Sequence, residues 1–114
     1  MAQLLTVGVR VERGVPVLKV DGELALSGSV RILNAIRRHL GPGVKTVILD
    51  MSDVERISAS ALGALSEINH SLTESGCRLV LAGPGMQVRK MLVLSFLDKV
   101  IGTAGSVEEA LGGV

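Results

Sequence analysis

The sequence predicts an α/β fold: a mostly parallel or mixed sheet of four or five strands with about four helices, opening with a β-hairpin. Apolar residues first alternate with a period of two and then recur at helical spacing. Glycine and proline clusters separate these segments, and strands and helices alternate along the rest of the chain. The 114 residues, 47% of them apolar and 20% charged, suit one globular domain, which we expect to span residues 1–114.

The N-terminal region predicts the hairpin. Gly14 marks a turn, residues 15–20 predict its second strand, and residues 21–24 are expected to leave that strand. The first strand is indicated by valines that alternate with small or charged residues: Val7, Val9 and Val11.

The next segment predicts a helix and then a central strand. Ser27 or Ser29 is expected to cap the helix, whose apolar positions recur at helical spacing until Gly41. The segment over residues 44–50 is short, mostly apolar and rich in β-branched side chains, so it predicts a buried strand. Residues 51–57 are expected to form a loop.

The C-terminal half continues the alternation. A second helix is expected to end before Gly76, and residues 78–82 predict the next strand. An apolar third helix follows, and residues 99–103 are expected to form a short last strand. Ser106 and Glu109 have capping-box spacing, so a final helix should begin there. Strands that alternate with helices in this way require a mostly parallel sheet.

Composition argues against several kinds of function. The net charge is +1 and Phe96 is the single aromatic residue, so nucleic-acid binding is disfavoured. His39 and His70 have no metal-ligand spacing, and Cys77 is expected to be a buried structural thiol. No nucleophile elbow or phosphate loop is present. We therefore expect no metal, no cofactor and no catalytic centre.

The hydropathy profile predicts a cytoplasmic protein. The N-terminus lacks a basic segment followed by an apolar stretch, so we expect no signal peptide. The apolar runs are shorter than the roughly 20 residues that a membrane helix needs, so we expect no membrane insertion.

One segment remains as a candidate site. The residues from Ser58 to Leu62 follow a central strand and open a helix, and four of them are serine or alanine. Small side chains leave the first-turn N–H groups uncovered, and open α/β sheets bind partners and ligands at this end of their strands. Two interpretations stay open: a recognition surface, or a tightly packed turn in which Ser58 only caps the helix.

An ordered set of motifs across roughly residues 4–111 resembles the STAS domain of bacterial anti-sigma factor antagonists. The motifs are Gly22-Glu23-Leu24, Val47-Ile48-Leu49-Asp50-Met51-Ser52, Val54-x-x-Ile57, Leu62-Gly63-Ala64-Leu65, Leu79-Val80-Leu81-Ala82-Gly83-Pro84, Val88-x-x-Met91-Leu92 and Ser106-x-Glu-Glu-Ala-Leu111. The resemblance implies a partner that is an anti-sigma factor or a serine protein kinase, with any ATP belonging to that partner. It also implies a serine at the helix start whose phosphorylation ends binding.

The sequence departs from the family where that switch should lie. The usual acceptor serine falls on Ala59, the usual aspartate on Ser58, and the usual acidic residue after Gly-Glu-Leu on Ala25. Ser58 and Ser60 are the remaining candidate phosphoacceptors. We therefore expect a docking surface without the phosphate switch, made of Ser58, Ala59, Ser60, Ala61 and Leu62. If Ala61 and Leu62 lie on that surface, a charged residue at either position is expected to weaken binding and preserve the fold.

Two other functions stay open. One is a STAS subunit of a lipid-transport ABC system, or a scaffold in a signalling assembly, where a missing phosphoacceptor has no cost. The other is a sensor that binds a small molecule or nucleotide in the cleft at the strand ends. The apolar third helix also leaves a homodimer open.

Overall fold

A computed structural model describes residues 5–114. The first four residues of the expected domain lie outside the described residues. They include Leu4, where the resemblance to the STAS domain begins. The five described strands have the sheet order β1-β2-β3-β4-β5; β1 is antiparallel to β2 and the other pairs are parallel. The predicted fold class is confirmed. The elements are β1 (Thr6–Glu12), β2 (Val15–Leu24), α1 (Leu26–His39), β3 (Thr46–Ile57), α2 (Ala59–Glu74), β4 (Arg78–Ala82), α3 (Met86–Leu94), a 3-10 turn (Leu97–Lys99), β5 (Gly102–Ala104) and α4 (Val107–Gly112).

The two central strands are longer than the sequence predicts. β2 continues to Leu24 and β3 to Ile57, so the predicted exit over residues 21–24 and the predicted loop over residues 51–57 are wrong. These polar extensions pair with each other from Asp21 opposite Asp53 to Leu24 opposite Ile57, with one register shift between Gly22 and Glu23. Pairing satisfies their backbone groups, and one face stays in solvent, so polar side chains are tolerated.

The sheet is covered differently on its two faces. Helices α1, α2 and α3 pack on one face, over inward-pointing side chains such as Leu18, Leu49 and Leu81. Helix α4 packs on the opposite face, over Val17 and Ile48. Strands alternate their side chains between faces, so β2, β3 and β4 supply both layers of the core.

Helix α1 begins earlier than predicted and without a side-chain cap. Its N-cap residue is Ala25, whereas the hydroxyl of Ser29 donates to the carbonyl of Leu26 at 2.5 Å. The cap predicted at Ser27 or Ser29 is therefore wrong. A Cβ on Gly28 would lie 2.6 Å from the Leu5 side chain and 3.2 Å from that of Leu24, so this turn of α1 packs closely against its neighbours.

Other boundaries agree with the sequence, apart from the last strand. Gly76 has φ +77° and its N–H donates to Thr73 at 3.0 Å, which confirms it as the residue that ends α2. Ser106 accepts a hydrogen bond from the Glu109 N–H at 3.0 Å, which confirms the cap of α4. The last strand is β5, a little later than the predicted 99–103, because a 3-10 turn comes first.

Candidate functional site

The candidate site lies at the edge of the sheet where β2 and β3 end. The N–H of Ser58 donates to the carbonyl of Leu24 at 2.9 Å, which ties the start of α2 to the end of β2. Helix α1 begins at Leu26, directly after that strand. The first turns of α1 and α2 therefore lie side by side at the carboxyl edge of two parallel strands.

The first turn of α2 is capped but carries no charge. The Ser58 hydroxyl accepts a hydrogen bond from the Ala61 N–H at 3.1 Å and lies 3.1 Å from the Ser60 hydroxyl. Ser58 is half-buried, whereas Ala59 and Ser60 are exposed. No acidic residue lies in this turn, so no side chain there offsets the positive end of the helix dipole.

The structure corrects two of the five predicted contact residues. Ala61 is 0% exposed and Leu62 is 6% exposed, and both belong to the core beneath α1, α2 and α3. Their side chains point into the molecule because helix positions three and four beyond Ser58 face the sheet. The condition that these groups lie on the exposed surface is therefore not met, and a charged residue at either position should destabilise the fold.

The outward face of α2 extends the exposed surface. Gly63 is exposed, and a Cβ added there would meet nothing within 4 Å. A groove of about 330 Å³ runs between α1 and α2, and Leu26 and Val30 on its α1 side are 52% and 53% exposed. We call this candidate contact region the docking surface: Ser58, Ala59, Ser60, Gly63, Leu26 and Val30.

Sequence reasoning missed the α1 part of this surface. Val30 recurs at helical spacing with Leu33 and Ile36, but it is 53% exposed, whereas Ile32 and Ile36 form the buried stripe at 0% exposure. Leu26 and Val30 lie one turn apart on a second stripe beside it. The signal in the sequence was that α1 carries more apolar positions than one buried face needs.

Two acidic residues within β3 form a local hydrogen-bonded contact and an ion pair. Asp50 accepts hydrogen bonds from the N–H and the hydroxyl of Ser52, at 3.1 and 2.7 Å. Asp53 pairs with the Lys19 ammonium at 3.0 Å, and this hydrogen bond raises the pKa of Lys19. Across residues 5–114, His, Cys, Asp and Glu form no group of three or more placed to hold a metal ion.

The remaining reactive side chains lie away from the docking surface. His39 contacts the Ala35 carbonyl at 2.9 Å, and His70 pairs with Glu74 at 2.6 Å in the second half of α2. Cys77 is a buried free thiol, as predicted, and burial raises its pKa. It is therefore a neutral thiol and a poor nucleophile at neutral pH.

A separate cavity of about 430 Å³ lies near β5, between α3 and α4. Its lining includes Arg89, Asp98 and Glu109, and one carboxylate oxygen of Asp98 is buried without a hydrogen-bond partner. The docking surface contributes no residue to this cavity.

Comparison with known proteins identifies the family. The sequence model of the STAS domain matches residues 6–110, nearly the whole chain. The chain belongs to the STAS domain family.

Every helix in residues 5–114 is too short or too polar to span a bilayer.

Relatives of this STAS domain fall into two groups. A candidate anti-sigma factor antagonist of Thermotoga maritima is 32% identical over 72 residues, and the match spans 63% of this chain and 64% of that protein. Sulfate transporter 1.3 of Arabidopsis thaliana is 31% identical over 100 residues, which is 78% of this chain but only 15% of the transporter. The chain thus spans less than two thirds of the length of either relative.

Solved structures show the same fold. A Thermotoga maritima structure described as a candidate anti-sigma factor antagonist has a TM-score of 0.81 at 25% identity, over 95% of this chain and 93% of that one. An anti-sigma factor antagonist of Mycobacterium paratuberculosis superposes with a TM-score of 0.85 at 22% identity, over 100% and 98% of the two chains. The STAS domain described here is therefore similar in fold to solved anti-sigma factor antagonists.

Proposed function

We propose that this chain, as one STAS domain over residues 1–114, regulates transcription by binding an anti-sigma factor or a serine protein kinase partner through the docking surface. It acts by binding and has no catalytic centre, and ATP, where used, belongs to the partner. The observation that carries this proposal is the first turn of α2, where exposed small residues leave an uncharged helix start at the strand-end edge.

The first turn gives a partner close access to backbone. Ala59 and Ser60 carry little side chain, so a partner's side chain or backbone can approach the helix N-terminus closely. The positive end of the helix dipole favours a partner that presents an acidic group there. This part of the docking surface supplies orientation and specificity.

The α1 side supplies apolar area. Leu26 and Val30 are about half exposed beside the groove, and apolar surface drives association when it is buried. A stable interface of standard size needs about 800 Å² per partner, which the first turn alone is too small to offer. We therefore propose that the partner contacts both helices and lies across the groove.

We propose further that no phosphate switch operates at this surface. Ala59 has no hydroxyl, and the Ser58 hydroxyl caps α2 through the Ala61 N–H. The exposed Ser60 hydroxyl is the remaining candidate, and it lies 3.1 Å from the Ser58 hydroxyl. Binding would then be controlled by the amount or state of the partner.

The binding experiment uses Gly63→Arg and Ser60→Arg. Both positions are exposed, and arginine is a good helix former, so the fold should be retained. We expect each variant to bind the anti-sigma factors or serine kinases of the source genome at least about tenfold more weakly by calorimetry, a loss of about 1.4 kcal/mol. The matched control is Thr73→Arg, which is exposed at the far end of α2. Equal affinity for all three variants would contradict the proposed surface.

The switch is tested separately. Incubation with ATP and a bound serine kinase should leave the intact mass of the chain unchanged. A phosphorylated species that disappears in Ser58→Ala or Ser60→Ala would show that a switch exists. Loss of binding in Gly63→Arg would still support docking in that case, so the two proposals fail independently.

A second proposed role is a STAS component of a transport or signalling assembly. The match to sulfate transporter 1.3 supports it, because the segment similar to this chain is 15% of a much longer protein. Co-purification from the native cell separates the roles: a permease or ABC ATPase favours this one, and an anti-sigma factor favours the first. Ligand sensing is tested by thermal shift with nucleotides, since a ligand that binds only the folded state raises the Tm.

A further inference from the structure

The outer edge of strand β1 lies at the far side of the sheet from β5. Among the described residues β1 pairs with β2 alone, so one side of its backbone is available to another strand. The pairing with β2 is unbroken over the seven residues from Thr6 to Glu12, so no bulge interrupts this edge. An edge of this length offers a row of backbone donors and acceptors to an added strand.

Strand β1 carries few of the features that protect edges. It has no proline and no lysine, and Val11 on it is 58% exposed. Val7 and Val9 are half-buried against the core, so the exposed part of each side chain adds apolar surface that a neighbouring strand can contact. The opposite edge differs, since β5 has only three residues.

The surroundings of this edge are basic. A shallow pocket of about 180 Å³ between β1 and α1 is lined in part by Arg31, Asn34 and Arg38, all of them exposed. The Arg31 guanidinium donates to the Leu5 carbonyl just before β1, which fixes one cation at the edge. On the strand itself Arg10 pairs with Glu12 at 3.1 Å, so the charge of Glu12 is already compensated.

We propose that β1 binds an extended acidic segment of a partner protein by strand addition. Backbone hydrogen bonds to β1 would supply affinity, and acidic side chains at alternate positions would face Arg31 and Arg38. These arginines are seven residues apart on α1, about 10 Å along the helix, and residues two or four apart on a strand are about 7 or 13 Å apart. Alternate carboxylates on flexible side chains match that separation.

Charge also decides between occupants. A second copy of this chain paired along β1 would bring its own Arg31 and Arg38 towards the first pair, and like charges that face each other across strands are destabilising. The acidic segment is therefore the occupant that fits. This inference does not depend on the docking surface, which lies at the starts of α1 and α2.

The test uses a synthetic seven-residue peptide that alternates glutamate with valine and threonine, and a control peptide with glutamine in place of glutamate. Titration into the isotopically labelled chain should shift the amide NMR signals of β1 and of the α1 positions beside it. We expect the control peptide to bind about tenfold more weakly, because its contacts lack the charge of the carboxylates. Arg38→Gln should weaken the glutamate peptide about threefold.

Two further variants sharpen the test. Val11→Glu places a negative charge on the exposed edge and should reduce binding of the glutamate peptide more than that of the glutamine peptide, whereas Gly63→Arg, on the docking surface, should leave binding of both unchanged. Equal binding of the two peptides, shifts confined to the start of α2, or no shift at all would overturn the proposal. A dimer in sedimentation experiments that Val11→Glu dissociates would also overturn it, because a second copy would then occupy the edge.

Discussion

Helices α2 and α4 begin in the same way and then differ. Each starts at a serine whose hydroxyl accepts a hydrogen bond from the N–H three residues on, at 3.1 Å for Ser58 and 3.0 Å for Ser106. The first turn of α4 adds two acidic residues, and Glu109 also accepts from the Gly105 N–H at 3.2 Å. The first turn of α2 has no acidic residue.

The start of α4 is therefore stabilised by acidic side chains of its own chain, whereas the start of α2 has no such side chain. Acidic side chains in a first turn stabilise a helix through its dipole, and in α4 the Glu109 carboxylate also accepts from the N–H of Gly105 just before the cap. Helix α2 lacks that stabilisation although it is 16 residues long and lies at the strand-end edge. An acidic side chain there would occupy the position that we propose for a partner's acidic group.

The largest expected effect tests which side chains at the start of α2 belong to the core. Leu62→Ala removes a buried side chain and should lower the free energy of unfolding by about 2–5 kcal/mol in urea titration. The exposed neighbour change Ser60→Ala should alter it by less than about 0.5 kcal/mol. A small effect of Leu62→Ala would mean that this side chain lies outside the core and is free to contact a partner.

The two caps should contribute equally. Ser58→Ala and Ser106→Ala each remove one hydroxyl acceptor and should each cost about 1 kcal/mol of stability. Chemical denaturation of both variants under one condition makes the measurement. A cost at Ser106 alone would show that the Ser58 hydroxyl does not cap α2, and would free Ser58 as a phosphoacceptor.

Gly63→Ala should stabilise the chain, by slightly less than the stability that each cap contributes. Glycine inside a helix is about 0.8–1 kcal/mol less favourable than alanine, and the added methyl group meets nothing within 4 Å. The expected gain is therefore close to 1 kcal/mol, read as a higher urea midpoint. If Gly63→Ala also weakened partner binding, a partner's backbone would have to approach this position closely. No gain in stability would mean that the site is more crowded than it is in the structure.

The smallest effect concerns charge alone. Ser60→Glu gives the α2 start the acidic side chain that α4 has and should raise stability by about 0.3–1 kcal/mol at low salt. Glu108→Gln should lower it by a similar amount, and added salt should reduce both effects. Thermal unfolding at two salt concentrations checks the pair, and opposite signs are required. The same Ser60→Glu variant should weaken partner binding.

The sequence alone determined the fold class and most element boundaries. Period-two valines, helical spacing and glycines such as Gly76 are local signals, and local signals identify elements without knowledge of their neighbours. It also determined where the candidate site lies, because Ser58 to Ser60 follow the central strand. The motifs of the STAS family lie along the same elements, and the family match covers residues 6–110.

Only the tertiary structure decided which residues of the site are accessible. Ala61 and Leu62 are as small or as apolar as their neighbours, and their burial depends on how α2 lies on the sheet. The strand extensions to Leu24 and Ile57 likewise depend on pairing between segments far apart in sequence. Exposure of Leu26 beside the groove follows from the packing of α1 against α2. Burial and pairing are properties of contacts between elements, and a local pattern does not specify them.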